Sequence, residues 1–251
     1  MASDHLGTFD EAYTTRNHSK IAWQPDHKIF SVCADSVENA MELLGAIAME
    51  WQALPVRSFG ALRQGLQNAV TIYRHHRFYL DVLPRYGIVV KNDNWFEIAK
   101  LINVDKELKG EWDNQNLGCE IVLGTFDMRG MATVYYIGSD GGVQTIGQPG
   151  FIAIGSGGPY AQFWLAHRQQ TCHMSILRSA YHAYEAKIMA EHNPFVGKDD
   201  IAMMVCTPKR VYILTQNQPE IEGCPVSLIR LKGMVQRYGP RDTADLDPRK
   251  A

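Results

Sequence analysis

Ser156 stands among glycines in the stretch 151–165, FIAIGSGGPYAQFWL, where a short apolar run meets a glycine turn and an apolar helical run follows. A hydroxyl exposed on such a turn can serve as nucleophile or as hydrogen-bonding partner. Two well-known loops are excluded by the residues themselves. A phosphate-cradling loop needs GxxxxGK[ST], and no lysine follows these glycines. A nucleophile elbow needs glycine two positions before the serine, where this chain has Ile154. Two readings remain. Ser156 caps the helix whose first turn holds Pro159, or its hydroxyl faces a site.

Other reactive residue types carry weaker patterns. His75 and His76 are adjacent, and neighbours in sequence do not share a helix face, so they read as a solvated pair rather than as metal ligands. The cysteines, at 33, 119, 172, 206 and 224, are odd in number, widely spaced and without CxxC spacing. They predict neither a zinc site nor a disulfide framework, but reduced thiols in a cytoplasm. No metal and no cofactor are expected. Taken alone, Asp4 and Lys20 read as an ion pair of little weight if exposed. Thr8 alone reads as a strand residue, and the methionines at 131, 174, 203 and 204 as core fillers.

The elements that must position these residues follow from the patterning. The chain has 251 residues, 45% apolar and 21% charged, with a net charge of −2. That is the profile of a globular protein with a sizeable core. It carries no basic excess for nucleic acid, no apolar run long enough to span a membrane, and no signal-peptide pattern at its start. Residues 28–34 predict a buried strand, and Ser36 and Ser58 predict caps for helices over 37–54 and 59–80. Residues 81–116 are irregular and read as an insertion, with one short helical piece, WFEIAKLI. A meander of strands follows (LGCEIVLGTF, MATVYYI, VQTI) and leads into the 151–154 strand. Next come helices from about 159 to 170 and from Ser175, the strands DIAMMVCT and RVYILT, and a polar tail over 241–251. Hairpins dominate, so the predicted class is α+β: two mainly antiparallel sheets face to face, with helices outside, a four-layer α/β/β/α sandwich. A single domain spans 1–240.

With these elements in place, IAIGSGGPYAQ resembles the matching segment of the HslV peptidases, the proteasome-type threonine peptidases of the N-terminal-nucleophile hydrolases. MASDHLGT is similar to that family's second strand, with Asp4 and Thr8 at the family's interval. NHSKIAW resembles the segment around its lysine, with Lys20 in place. SVCADSVENAMELL resembles its oxyanion turn and first helix, and DIAMMVCTPKRVYILT its closing hairpin. Coverage is roughly 1–80 and 115–215.

The resemblance implies a mechanism. A mature chain begins with Thr, whose hydroxyl attacks the peptide carbonyl while its own α-amine acts as base. The Lys20 ammonium favours the deprotonated hydroxyl and the neutral amine, and Asp4 fixes the lysine. Ser156 hydrogen-bonds near the amine, the backbone N–H at Ala34 serves the oxyanion, and Thr8 lies at the substrate. The implied partners are a polypeptide substrate, further copies in a ring, and an ATPase unfoldase.

Two departures stand against the resemblance. Ala34 replaces a glycine of the oxyanion turn, narrowing the space and restricting φ. The strand that carries the nucleophile belongs upstream of Met1, about a dozen residues away. Removal of Met1 exposes Ala2, which has no hydroxyl, and the amine of Ser3 lies in a peptide bond. The 251-residue chain is therefore expected not to cut peptides. The expectation is a threonine-type peptidase subunit whose true start lies upstream. A non-catalytic ring subunit, or an amidase acting on a small amide, are the alternatives.

Overall fold

The computed structural model describes residues 2–3, 7–9, 13–15, 21–24, 29–89, 95–148, 150–197, 201–215 and 220–238. Strand β5 (Ile29–Asp35) lies between β4 (Ile21–Gln24) and β6 (Cys119–Phe126). The ladder continues through β7 (Ala132–Ile137) to β8 (Val143–Thr145), giving a five-stranded sheet that is antiparallel throughout. A second sheet has the order β1 (Ala2–Ser3), β9 (Ala202–Cys206), β10 (Val211–Thr215), also antiparallel. A small hairpin joins β2 (Gly7–Phe9) to β3 (Tyr13–Thr15).

The alternation of side chains along the strands sorts the core into layers. Ile29, Cys33, Ile121, Leu123, Tyr135 and Ile137 face outward from the five-stranded sheet and meet α1 (Val37–Gln52) and α2 (Phe59–Arg77). Phe30, Val32, Val122 and Val134 face the other way and meet Ala202 and Met204 of the smaller sheet. The far side of that sheet packs, through Met203, Val205 and Leu214, on Tyr181 and Tyr184 of α6 (Ile176–Ala190) and on Leu231 of α7 (Leu228–Tyr238). The order helix, sheet, sheet, helix is the predicted sandwich. Strand β6 is buried on both faces from residue 121 to 125 because both are covered.

Several boundaries depart from the sequence expectation. Ser36 and Ser58 cap α1 and α2 as their positions imply, accepting from the Asn39 and Ala61 amides. Residues 78–116 hold more helix than their polarity suggests. A π-helical turn (Phe78–Val82) and a 3-10 turn (Leu83–Tyr86) lead towards α3 (Trp95–Val104) and α4 (Lys106–Asp113). The Asp105 carboxylate caps α4, and Leu108 is its buried anchor. These pieces share a separate apolar cluster of Phe78, Leu83, Ile98 and Ile102, so they form a lobe with its own small core. Residues 151–154 join no sheet among the described residues, contrary to the expected strand. Helix α7 is the last described element, and no helix was expected there. Its signal lay in Ser227, whose hydroxyl accepts from the Arg230 amide, and in apolar residues at 228 and 231.

Candidate active site

The Gly-Ser-Gly turn sits where the five-stranded sheet, β9, α6 and the helix that follows the turn come together. Gly155 is in the left-handed region at φ +75°, and a methyl there would stand 3.1 Å from the Ala34 Cβ. Glycine is needed at this position on both counts. Gly157 is needed for space, since a Cβ there would lie 2.7 Å from Val196 Cγ2 and 2.8 Å from Ala190 Cβ. Between them Ser156 is exposed, and its carbonyl accepts a hydrogen bond from the Asn193 amide at 2.7 Å. The turn closes on itself through the Gly158 N–H, which donates to the Gly155 carbonyl at 2.9 Å.

Helix α5 (Gly158–His167) begins behind the turn, with Pro159 in its first turn. Its cap is Gly157, without a side-chain bond. The capping reading of Ser156 is therefore overturned, and the hydroxyl has no hydrogen-bond partner among the described residues.

Ala34 is the last residue but one of β5, paired in register with Glu120 of β6 and followed by the Asp35–Cys119 pair. The chain leaves the strand after Asp35. Asp35, at φ +64°, is in the left-handed region, while Ala34 is not. Aspartate tolerates that region better than most residues because its short carboxylate can bond locally. From there the Ser36 amide donates to the Gly118 carbonyl and α1 begins.

Ser156 and Ala34 line one cavity of about 460 Å³. Its walls are mostly apolar, including Val32, Val122, Val134, Ile152, Ile154, Leu165 and Met204. The size and lining are those of small-molecule or side-chain pockets. Lys187 and Gln170 at its margin are already engaged. Lys187 is buried, and its ammonium donates to the Glu191 carboxylate at 2.8 Å and the Gly197 carbonyl at 2.6 Å. Gln170 reaches the buried His182, Oε1 to Nδ1 at 2.7 Å. Burial, with Arg178 and Arg168 nearby, pushes His182 down to about 4, so it is a neutral structural histidine at physiological pH. The Arg168 guanidinium forks onto the Glu185 carboxylate at 2.8 and 2.7 Å and locks α5 to α6.

Asp4 and Lys20 lie outside the described residues, so the expected convergence is described at Ser156 and Ala34 only. Thr8 is the middle residue of β2, opposite Thr14. Among the described residues no group of three His, Cys, Asp or Glu is placed to hold a metal ion. No described helix is long and apolar enough to cross a membrane. One residue at the site was not foreseen. Glu120 carries a carboxylate on the inward face of β6, accepts from the Tyr136 hydroxyl at 2.5 Å and from the Gly155 N–H at 3.3 Å. A lone acid inside CEIVLGTF was the signal available, since an apolar strand holds a charge only where something satisfies it.

No protein-family model and no curated relative matches the chain. Solved structures do. A mutant of Anbu from Hyphomicrobium sp. strain MC1 is 12% identical with a TM-score of 0.56, over 86% of this chain and 83% of that one. Anbu, the ancestral beta-subunit, from Yersinia bercovieri is 13% identical with a TM-score of 0.53, over 87% and 83%. The eukaryotic HslV of Trypanosoma brucei is 15% identical with a TM-score of 0.48, over 86% and 92%. The two Anbu likenesses establish the fold.

Proposed function

This chain has the fold of the Anbu beta-subunits, the architecture implied by the resemblance to HslV, and on that premise we propose that it is a proteasome-like threonine-type peptidase subunit. It hydrolyses peptide bonds of polypeptides in intracellular degradation. It works as part of a cytoplasmic homo-oligomeric ring, supplied by an ATPase unfoldase. The observation that supports this reading best is the packing of the Gly-Ser-Gly turn against Ala34, at the mouth of an apolar cavity. In this proposal the nucleophile is an upstream Thr. Lys20 activates its hydroxyl, Asp4 orients Lys20, and Ser156 bonds near the free amine. Thr8 contacts the substrate, and a backbone N–H at Ala34 or the following turn meets the oxyanion.

The test is fluorogenic peptide cleavage by three proteins: the 251-residue chain, an upstream-extended chain matured to an N-terminal Thr, and that chain with Lys20→Ala. Only the second should cleave. Loss of the lysine should cost several powers of ten, as for any member of a coupled catalytic unit. Light scattering at micromolar concentration should give a multimer, and a clean monomer counts against the ring.

Asp35 favours a second reading. A carboxylate-bearing residue at the left-handed position of the oxyanion turn brings negative charge to a place where more would develop during catalysis. A folded, ring-forming extended chain without cleavage would identify a non-catalytic subunit.

A further inference from the structure

Glu120 is the one carboxylate that reaches the Gly-Ser-Gly turn from the five-stranded sheet among the described residues. It stands opposite Ala34 in the β5–β6 register. On the other side its diagonal neighbour is Tyr136, since Tyr136 pairs with Val122 two residues on. All three therefore share the inter-sheet face. The Tyr136 hydroxyl donates to Oε1 at 2.5 Å, and the Gly155 N–H donates to Oε2 at 3.3 Å. The second bond is long for a charge-assisted one, so it depends on the carboxylate being aimed. Tyr136 does the aiming. Burial, with the bond to Glu120, pushes its hydroxyl up to about 12, so it stays a donor across the physiological range.

We infer that Glu120 is a positioning residue for Ser156: oriented by Tyr136, its carboxylate holds the Gly155 peptide and so sets the direction in which the Ser156 hydroxyl faces the cavity. The part that concerns catalysis rests on the peptidase reading above. The clamp supports the turn from the sheet, while Asn193 holds the Ser156 carbonyl from the segment after α6. With both flanks fixed, the Ser156 Cα–Cβ bond has one direction, and only the rotamers about it remain for the hydroxyl. The clamp also ties the turn to the strand pair that carries Ala34, so the two halves of the candidate site keep one spacing.

The experiment has two arms. In the 251-residue chain, amide hydrogen exchange is followed over 153–158. Glu120→Ala and Tyr136→Phe should speed Gly155 exchange by about tenfold or more, because local opening no longer breaks a bond. Glu120→Gln should stay within about threefold of the parent, since an amide oxygen still accepts from Gly155 and the amide nitrogen can donate to Tyr136. In the Thr-initiated chain, Glu120→Ala should lower kcat by about tenfold or more with KM unchanged, and Glu120→Gln should restore it. Tyr136→Phe, which keeps the ring, serves where Glu120→Ala fails to fold. Unchanged exchange in Tyr136→Phe overturns the clamp. Faster exchange with unchanged kcat overturns the positioning role, and a Gln variant as impaired as Ala shows a role for charge instead. Cleavage by no version at all overturns the peptidase reading, and the exchange arm still decides the clamp.

Discussion

Gly155 and Ala34, far apart in the chain, meet so closely that the glycine has no room for a side chain: a Cβ on Gly155 would be 3.1 Å from the Ala34 Cβ. The left-handed φ of +75° adds a second reason. Gly155→Ala should therefore lose about 2 kcal/mol, from the left-handed penalty and the contact together. Ala34→Gly should recover only the contact. A double-mutant cycle by chemical denaturation measures the coupling, and strict additivity would show that the two do not touch.

Asn193 should matter through its bond to the Ser156 carbonyl at 2.7 Å. Asn193→Ala should cost about 1 kcal/mol, the usual worth of one hydrogen bond at a partly exposed site. The loss should appear as faster amide exchange at 155–158, with little change in α1 or α2. A uniform loss of protection would contradict this assignment.

Arg168 and Glu185 form a buried pair, with side chains 14% and 4% exposed. Arg168→Met leaves the Glu185 carboxylate buried without its counter-charge and should cost about 3–5 kcal/mol. The double change Arg168→Met with Glu185→Leu should be closer to the parent than either single change. Thermal unfolding of the four proteins settles this. A double variant worse than both singles would show the pair to be net stabilising.

His182 is fully buried and held neutral, its pKa near 4 against an ordinary 6.5. In the window between those values the unfolded chain binds a proton that the folded chain does not. Folding stability contributed by this group is thus complete above about 6.5 and is lost as pH falls towards 4, by on the order of 3 kcal/mol. Unfolding free energy measured from pH 7 to 4.5 should fall, and His182→Gln should flatten the slope. An equal slope in the variant would assign the acid sensitivity elsewhere.

In the helical lobe, the His75 ring stacks on Trp95 with centroids 3.4 Å apart and planes 13° from parallel. Burial, with Arg74 beside it, pushes His75 down to about 4. Trp95→Ala opens the ring to water, so its pKa should rise towards 6.5 by about one unit or more. Titration of the imidazole by NMR reads this directly. No movement would mean that Arg74 and Trp112, not the stack, keep His75 neutral.

Much of this protein was determined by local sequence. The short apolar runs of β5 and β6, the alternation of β7 and the capped apolar stripes of α1, α2 and α6 are short-range patterns, so the α/β/β/α order followed from them. Ser156 stood out because glycines on both sides leave few conformations for it. The chain alone did not say why those glycines are there. That depends on Ala34, Ala190 and Val196, which arrive from distant segments. Nor did it say that Ser156 leaves the capping of α5 to Gly157, or that Asp35, at the end of β5, takes a left-handed conformation. α4 was hidden because it is short and anchored mainly by Leu108, whereas the apolar stripe of α7 (Leu228, Leu231, Met234, Val235) stood in the sequence and was passed over beside the polar tail. Glu120 was the least legible of all. A glutamate in a strand has no meaning until Tyr136 and the Gly155 amide stand within hydrogen-bond reach, and only the packing of sheet against turn brings them there.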